Sequence, residues 1–450
     1  MAMTGIEIFK FLPKTNCKDC GFPTCLAFAM ALAAGKSELA KCPHVSEEAK
    51  AKLAEASAPP IRTVTIGVGD KALKAGGELV LFRHEKTFYN PPGIGLVVSD
   101  TMPDEEVTAK IDRANNLVYE RVGLMLESNL VACRCDSGDP GRFKAFVAKV
   151  KESTQRNLVL MSLDPRALKE AADVVKDRKP LLYAATRENA DEVGSLAKEA
   201  GCPLAVKGAT LDEVAALTEK LTKLGLKDLV IDSGARDLKT LLRDQVAIRR
   251  LALEKKFAAL GFPTITLPCE MTQDPMMETL YAATMINKYG GIILLSDLHG
   301  HNLFPLLVNR LNIYTDPQRP MATKEGIYEI GTPNEHSPVL ITTNFSLTYF
   351  IVSGEIESSR VPSWLLILNT EGLSVMTAWA AGKFVADAIA PFVKKSGIEA
   401  KIAHRNLIIP GYAAGMSGEL EEELPGWKIT IGPREAAHIP PFIREWRPPA

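Results

Sequence analysis

Short apolar runs and amphipathic stretches alternate along most of this 450-residue chain, and the alternation falls into segments. From about Ile94 to Asn309 one pattern repeats: an apolar run, a polar end, then an amphipathic stretch of helical period. It predicts strands at Ile94 to Asp100, Leu130 to Cys135, Leu158 to Asp164, Leu181 to Thr186, Leu204 to Gly208, Leu229 to Gly234, Thr264 to Cys269 and Ile292 to Asp297. Helices are expected between them, among them Pro103 to Glu127, Pro165 to Lys176, Leu211 to Leu224 and Pro275 to Tyr289. Eight strand–helix units in series suit a closed (β/α)8 TIM barrel, with an open doubly wound sheet as the competing arrangement. Just before them, Thr63 to Val68 and Glu78 to Phe82, joined through Gly76-Gly77, read as a hairpin or edge piece leading into the next domain.

After the Pro-rich stretch Asp316 to Pro320 the alternation restarts. Strands are expected at Val339 to Thr343, Trp364 to Asn369, Leu407 to Ile409 and Trp427 to Ile431, with helices at Phe345 to Glu357, Leu373 to Val393 and Ser417 to Glu423. Four such strands with crossover helices make a small, doubly wound α/β domain, whose ligand belongs beyond the carboxyl ends of the strands. Those ends are Thr343-Asn344, Thr370-Glu371-Gly372, Pro410-Gly411-Tyr412-Ala413 and Gly432-Pro433. They are rich in Gly and hydroxyl groups and nearly uncharged, which suits a large, flat, amide-bearing ligand held through backbone N–H groups. The competing reading is that Gly and Pro merely make the turns.

The start of the chain is different. Cys17, Cys20, Cys25 and Cys42 follow C-x2-C-x4-C-x16-C, with Pro43 after the last. Three close sulfurs and a distant Cys-Pro suit a [4Fe–4S] cluster better than a zinc knuckle, which usually pairs two short hooks. Gly21 permits a tight loop, and a helix from about Leu26 to Ala34 leads toward the fourth ligand. A composition shift at Ala54 to Pro60 closes this segment, giving expected domains of 1–58, 59–315 and 316–450.

Composition narrows the function. The formal net charge of −1 argues against a nucleic-acid groove or a polybasic membrane anchor, and no apolar run approaches the roughly 20 residues of a membrane span. With no signal peptide expected, a cytoplasmic, reducing compartment follows, and disulfides are the weakest use of the cysteines. In the barrel segment Asp100, Asp136, Asp164, Asp232, Glu270 and Asp297 follow strands, where helix capping competes with catalysis. Cys133, Cys135, Cys202 and Cys269 read as small packed residues. Asp297-x-His299 and His301 resemble a metal pair only superficially.

Leu12-Pro13, Asn16-Cys17, Cys20-Gly21, Pro23-Thr24-Cys25, Ala27-Phe28-Ala29 and Cys42-Pro43 closely resemble the cluster domain of the large subunits of corrinoid iron–sulfur proteins of the reductive acetyl-CoA pathway. The resemblance extends over the whole chain as cluster domain, barrel and corrinoid domain. It implies corrinoid contacts at Thr342, Thr343, Asn344, Phe345 and Thr348, at Thr370, Glu371, Gly372, Leu373, Ser374 and Val375, and at Gly411, Tyr412, Ala413, Gly432, Pro433 and Arg434. It further implies a methyl carrier rather than an independent enzyme. The methyl would come from methyltetrahydrofolate through a separate methyltransferase and pass to CO dehydrogenase/acetyl-CoA synthase. The cobalt would cycle between Co(I) and methyl-Co(III), with the cluster repairing Co(II). A small subunit forming a heterodimer and a reductive activator are the other implied partners. The motif D-x-H-x-x-G is absent after residue 320, and His336, His404 and His438 lack that context, so a granted corrinoid would be bound base-off. Two rivals stand beside this reading: an autonomous pterin-dependent methyltransferase using the barrel, and an electron-transfer subunit without corrinoid.

Overall fold

The computed structural model describes residues 5–33, 37, 39–46, 49, 53, 59–121, 124–316 and 320–447. Ala34, residues 54–58 of the first expected boundary and residues 317–319 of the second lie outside these. The chain divides into two compact units: Met1–Leu81 with Tyr89–Asn116 and Ser128–Arg310, and Phe82–Phe88 with Leu117–Glu127 and Leu311–Ala450. No helix among the described residues is long and apolar enough to cross a membrane.

The first unit opens with helices α1 (Gly5–Phe11) and α2 (Cys25–Ala33). An antiparallel pair follows, β1 (Val64–Ile66) with β2 (Leu73–Ala75). The expected partner strand Glu78 to Phe82 is not a strand. Gly67 and Gly69 take φ of +91° and +68°, so the chain turns early, and Gly76 and Gly77 at +84° and +78° then carry it away from the ribbon.

Strand β3 (Gly93–Ser99) is buried at every residue. A Cβ at Gly95 would lie 2.6 Å from Leu130 Cβ, so the glycine admits the neighbouring strand. The expected helix from Pro103 to Glu127 stops at Asn116, and β4 (Tyr119–Arg121) and β5 (Leu124–Leu126) pair antiparallel after it. Asn115 and Asn116 are poor helix formers, and Tyr119 to Arg121 suits a strand better than another turn of helix. The remaining barrel strands are β6 (Leu130–Arg134), β7 (Asn157–Met161), β8 (Leu181–Ala185), β9 (Leu204–Lys207), β10 (Leu229–Asp232), β11 (Ile265–Thr266) and β12 (Ile292–Leu295).

All eight pair in parallel in the order β10-β9-β8-β7-β6-β3-β12-β11. Ile231 bridges Thr264, and Ile231 N donates to Pro263 O at 2.8 Å, bringing the last edges together. This is a near-closed (β/α)8 barrel. Its β11 is short because Pro263 and Pro268 flank it, the latter opening a 3-10 turn. Alternate residues such as Leu130, Ala132, Val159, Met161, Leu181 and Val230 fill the interior. Three surrounding helices begin Asp-Pro, with Asp139, Asp164 and Asp274 accepting from first-turn N–H groups.

The second unit carries a five-stranded sheet: β13 (Gly326–Ile330), β14 (Val339–Thr343), β15 (Ser363–Leu368), β16 (Asn406–Ile409) and β17 (Lys428–Ile431), ordered β13-β15-β14-β16-β17. Four strands are parallel as expected; β13 is an additional, antiparallel edge. Its half-exposed residues give it a weaker apolar signal than the buried central strands. Hydrophobic clusters cover both faces, one around Val339, Ile341 and Phe384, the other around Leu340, Ile356 and Ile443. The expected long helix Leu373 to Val393 is broken into Val375–Ala380 and Ala386–Ser396. Gly382 turns the chain at φ +69°, and Phe384 sinks into the core between them.

Candidate functional site

Three of the four N-terminal cysteines belong to or pack against one small hydrophobic cluster. Cys25 and Cys42 are buried in it with Phe28 and Leu12, Cys20 packs against it, and Cys17 is exposed. The loop that carries the first two winds through left-handed conformations at Lys14, Asn16, Lys18 and Gly21. Three non-glycine residues in that region within five positions are unusual, and such conformations concentrate at ligand clamps. Asn16 Oδ1 accepts from Cys25 N at 2.8 Å, Gly21 N closes a turn on Lys18 O, and Thr24 caps the helix through Ala27 N. From the far side, His44 Nε2 meets Asp19 Oδ2 at 2.6 Å, and the ligating atoms of Cys17, Asp19 and His44 lie within 4.8 Å of one another. The loop of Cys17 and Cys20 is thereby clasped to the turn of Cys42. Hydrogen bonds to His44 and Cys17 hold the Asp19 carboxyl below its ordinary range. All four thiols are free, and the donor set fits an iron–sulfur cluster.

The barrel thiols contrast with these. Burial pushes Cys133 and Cys269 up to about 12 and Cys202 to about 11, and raises Cys135, so none offers a thiolate near neutral pH. The strand-end carboxylates are likewise occupied. Asp100 accepts from Asp136 N, Ser137 N and Ser137 Oγ; Asp136 pairs with Arg134; Asp164 caps a helix. Arg236 binds both oxygens of Asp232 and also Glu270, while Tyr183 donates to Asp232 at 2.6 Å. Burial and the neighbouring Asp232 hold the Tyr183 phenol well above its usual range, so it stays protonated. Asp297 forms a two-pronged pair with Arg113, and His299 lies 3.7 Å from it.

In the second unit, β14 pairs on one side with β15 and on the other with β16, so the winding of the sheet reverses there. At such a switch point, crossovers leave to opposite faces and a crevice opens beyond the carboxyl ends. A cleft of ≈ 300 Å³ lies at that place. Its walls are aliphatic, Leu340 and Ile341 from β14, Ile408 and Ile409 from β16, with Ile351, Val352 and Ile439 from helices.

Of the residues expected to contact a ligand, Thr342, Thr348, Ser374, Val375, Tyr412, Gly432, Pro433 and Arg434 line this cleft. Thr343, Asn344, Phe345, Thr370, Glu371, Gly372, Leu373, Gly411 and Ala413 do not line it. Asn344 organises the neighbouring loop: its Oδ1 accepts from Thr370 N, Thr370 Oγ1 and Gly372 N, and its Nδ2 donates to Asn369 Oδ1. Glu371 takes φ +57° and pairs with Lys383. Gly411 approaches the next loop closely, since a Cβ there would sit 2.6 Å from Gly432 O. The aliphatic lining was missed because it looks like core; Thr348, Ile351 and Val352 at helical i, i+3, i+4 spacing beside an exposed Ile351 would have pointed to it.

Among the described residues, eight buried side-chain polar atoms lack a hydrogen-bond partner, and three of them are Thr342 Oγ1, Thr343 Oγ1 and Ser346 Oγ at the end of β14. A cluster of orphaned hydroxyls beside an apolar cleft fits a ligand with a broad apolar body and polar edges.

A four-cysteine N-terminal segment, a parallel barrel and a switch-point cleft in one chain suit a multidomain cofactor-carrying protein. Residues 63–443 match the family described as CO dehydrogenase/acetyl-CoA synthase delta subunit, and residues 12–44 match one described as "Putative Fe-S cluster". The chain is 49% identical over 444 residues to the corrinoid/iron-sulfur protein large subunit of Moorella thermoacetica, covering 99% of each. It is 36% identical to the acetyl-CoA decarbonylase/synthase complex subunit gamma of Methanothermobacter thermautotrophicus, covering 98% of this chain and 99% of that one. Among solved structures, a dihydropteroate synthase from Thermus thermophilus is similar at 15% identity, 57% coverage of this chain, 100% of that one and a TM-score of 0.40. The chain belongs to the family of corrinoid/iron-sulfur protein large subunits.

Proposed function

We propose that this chain is a methyl carrier of acetyl-CoA metabolism that binds a corrinoid at the β14/β16 cleft and a [4Fe–4S] cluster on Cys17, Cys20, Cys25 and Cys42. The switch-point cleft carries the reading: it combines aliphatic walls with an unpartnered hydroxyl at the place where an open parallel sheet takes its ligand. When bound, the corrinoid supplies a cobalt that accepts and releases a methyl group, and the cluster supplies single electrons. The chain's own part is to hold and shelter. Thr342, Thr348, Ser374, Val375, Tyr412 and Arg434, which line the cleft, would hold the macrocycle, and Asn344 fixes the neighbouring loop through Thr370 and Gly372.

Base-off binding fits the same site. No histidine is among the residues lining the cleft, and His404 is buried with its ring bonded to Ser337 O and Asn406 N. The methyl donor methyltetrahydrofolate, its methyltransferase, the small subunit, CO dehydrogenase/acetyl-CoA synthase and a reductive activator are the partners this reading assigns. A cytoplasmic location and domains of 1–58, 59–315 and 316–450 belong to it as well. The barrel then serves as scaffold and docking unit, which its fully occupied strand-end carboxylates support.

Anaerobic metal analysis tests both sites at once, with roughly four iron atoms per chain expected for a cubane cluster, plus bound cobalt. Cys20→Ala should lose the iron and keep the cobalt. Equal iron in variant and parent would sink the cluster assignment, and nitrogen superhyperfine splitting in the EPR spectrum of the Co(II) state would contradict base-off binding.

A further inference from the structure

The cysteine segment presents its sulfurs unevenly. Cys25 and Cys42 are buried, Cys20 is intermediate and Cys17 is exposed, so a cluster held there is most open on the Cys17 side. That side is basic. Lys14 and Lys18 bracket Cys17 in its loop, Lys10 sits in the last turn of α1, and Lys41 directly precedes Cys42; all four are exposed. Residues 1–46 hold five lysines against three acids, in a chain whose net charge is −1. Among the described residues none of the four lysines is in an ion pair, whereas Asp19, the acid of the loop, is taken up by His44. Lys14 Nζ lies over the Phe9 ring, 5.6 Å from its centroid. The backbone does not account for these side chains. Lys14 and Lys18 adopt φ of +60° and +71°, a conformation that glycine or asparagine takes at lower cost.

A redox centre that exchanges electrons with another protein needs that protein close, but only briefly. Such encounters use small interfaces and are steered by charge. A positive face whose cations are unpaired favours a carboxylate-rich partner surface, and the attraction acts before contact is made. We infer that Lys14 and Lys18, flanked by Lys10 and Lys41, form the docking face for a soluble one-electron carrier protein that is acidic around its own redox centre. In the encounter one electron leaves the reduced carrier, which is oxidised by one equivalent, and enters the cluster, which is reduced by one; no bond forms or breaks and no proton moves. This rests on the cluster reading of the four cysteines and says which kind of protein supplies the electron and where it docks.

The test follows reduction of the cluster in the iron-loaded full chain by stopped-flow absorbance, with two reductants. One is a reduced acidic bacterial ferredoxin; the other is a photoreduced neutral deazaflavin, which has no charge to be steered. With the ferredoxin the second-order rate should fall about tenfold between about 0.05 and 0.5 M salt, as screening shortens the reach of the lysines. Lys14→Gln/Lys18→Gln should be about five- to tenfold slower at the lower salt and lose most of the salt dependence, and Lys14→Glu/Lys18→Glu should be slower still. With the deazaflavin both variants should stay within about twofold of the parent at unchanged iron content, because no charge-steered docking is involved. A loss shared by both reductants, or lost iron, would assign the lysines to holding or tuning the cluster and overturn the docking face. An undiminished ferredoxin rate in the variants, or a parent cluster that the deazaflavin reduces and the ferredoxin does not, would overturn it while leaving the cluster reading intact. Failure of the parent itself to take up iron would overturn both.

Discussion

The barrel and the C-terminal sheet both present the carboxyl ends of parallel strands, and they finish those ends in opposite ways. At the barrel mouth charges are abundant and paired: Arg236 holds Asp232 and Glu270, and Arg113 holds Asp297. At the sheet edge the cleft is mostly aliphatic and its polar atom at Thr342 has no partner. A carboxylate at a strand end is therefore a poor sign of chemistry when an arginine already occupies it. An unpartnered hydroxyl beside an apolar cleft is a better one, because leaving it buried costs free energy that only a ligand or water can offset, although the barrel mouth also holds one in Ser233 Oγ after β10.

The contrast is most open to attack at Arg236. Arg236→Ala would leave the Asp232 carboxylate buried without its cation and should cost about 3–5 kcal/mol in urea unfolding, with cobalt retained. A cost under about 1 kcal/mol would show that the mouth is not held by this network. Gly372→Val attacks the other end. Gly372 has φ +75°, and a Cβ there would sit 2.9 Å from Pro320 O, so the loop must shift; the strain should be about 1–3 kcal/mol and the cofactor should be lost. Its exposed neighbour gives the control, Glu371→Gln changing cobalt content little. Retained cobalt in Gly372→Val would mean that the loop does not shape the site.

The smallest effects are expected at the paired carboxylates of the barrel mouth. Asp232→Asn and Asp297→Asn, in folded protein, should keep methyl transfer within about tenfold, under about 1.4 kcal/mol in barrier; a loss of several orders of magnitude would move catalysis into the barrel. Asp297 also has a pH signature. Burial pushes its pKa up, but hydrogen bonds from Arg113 and Leu298 N and the nearby charges outweigh that and leave it below 3.8. A lowered carboxyl pKa stabilises the fold above the unfolded value, and that stabilisation disappears as pH falls through the folded value. Asp297→Asn should therefore lose melting temperature at neutral pH and show a shallower decline on acidification.

Much of this was legible beforehand, because it depends on local pattern. Buried parallel strands are continuous apolar runs, so all eight barrel strands and four of five sheet strands could be read off. The cysteine spacing likewise pointed to the cluster loop without any coordinates. Where local signals were ambiguous the reading failed: Leu373 to Val393 looks like one helix until Phe384 is seen buried across a turn, and Glu78 to Phe82 alternates like a strand although Glu78 is buried against Arg249. The sequence by itself determined the order of elements and the residue types at the strand ends. Only the tertiary structure decided which of those residues were still available. Whether a carboxylate, amide or hydroxyl can serve a ligand depends on partners such as Arg236 for Asp232, or Asn344 for Thr370 and Gly372. The second pair lies 26 and 28 residues apart in the chain, where no local pattern reports the contact.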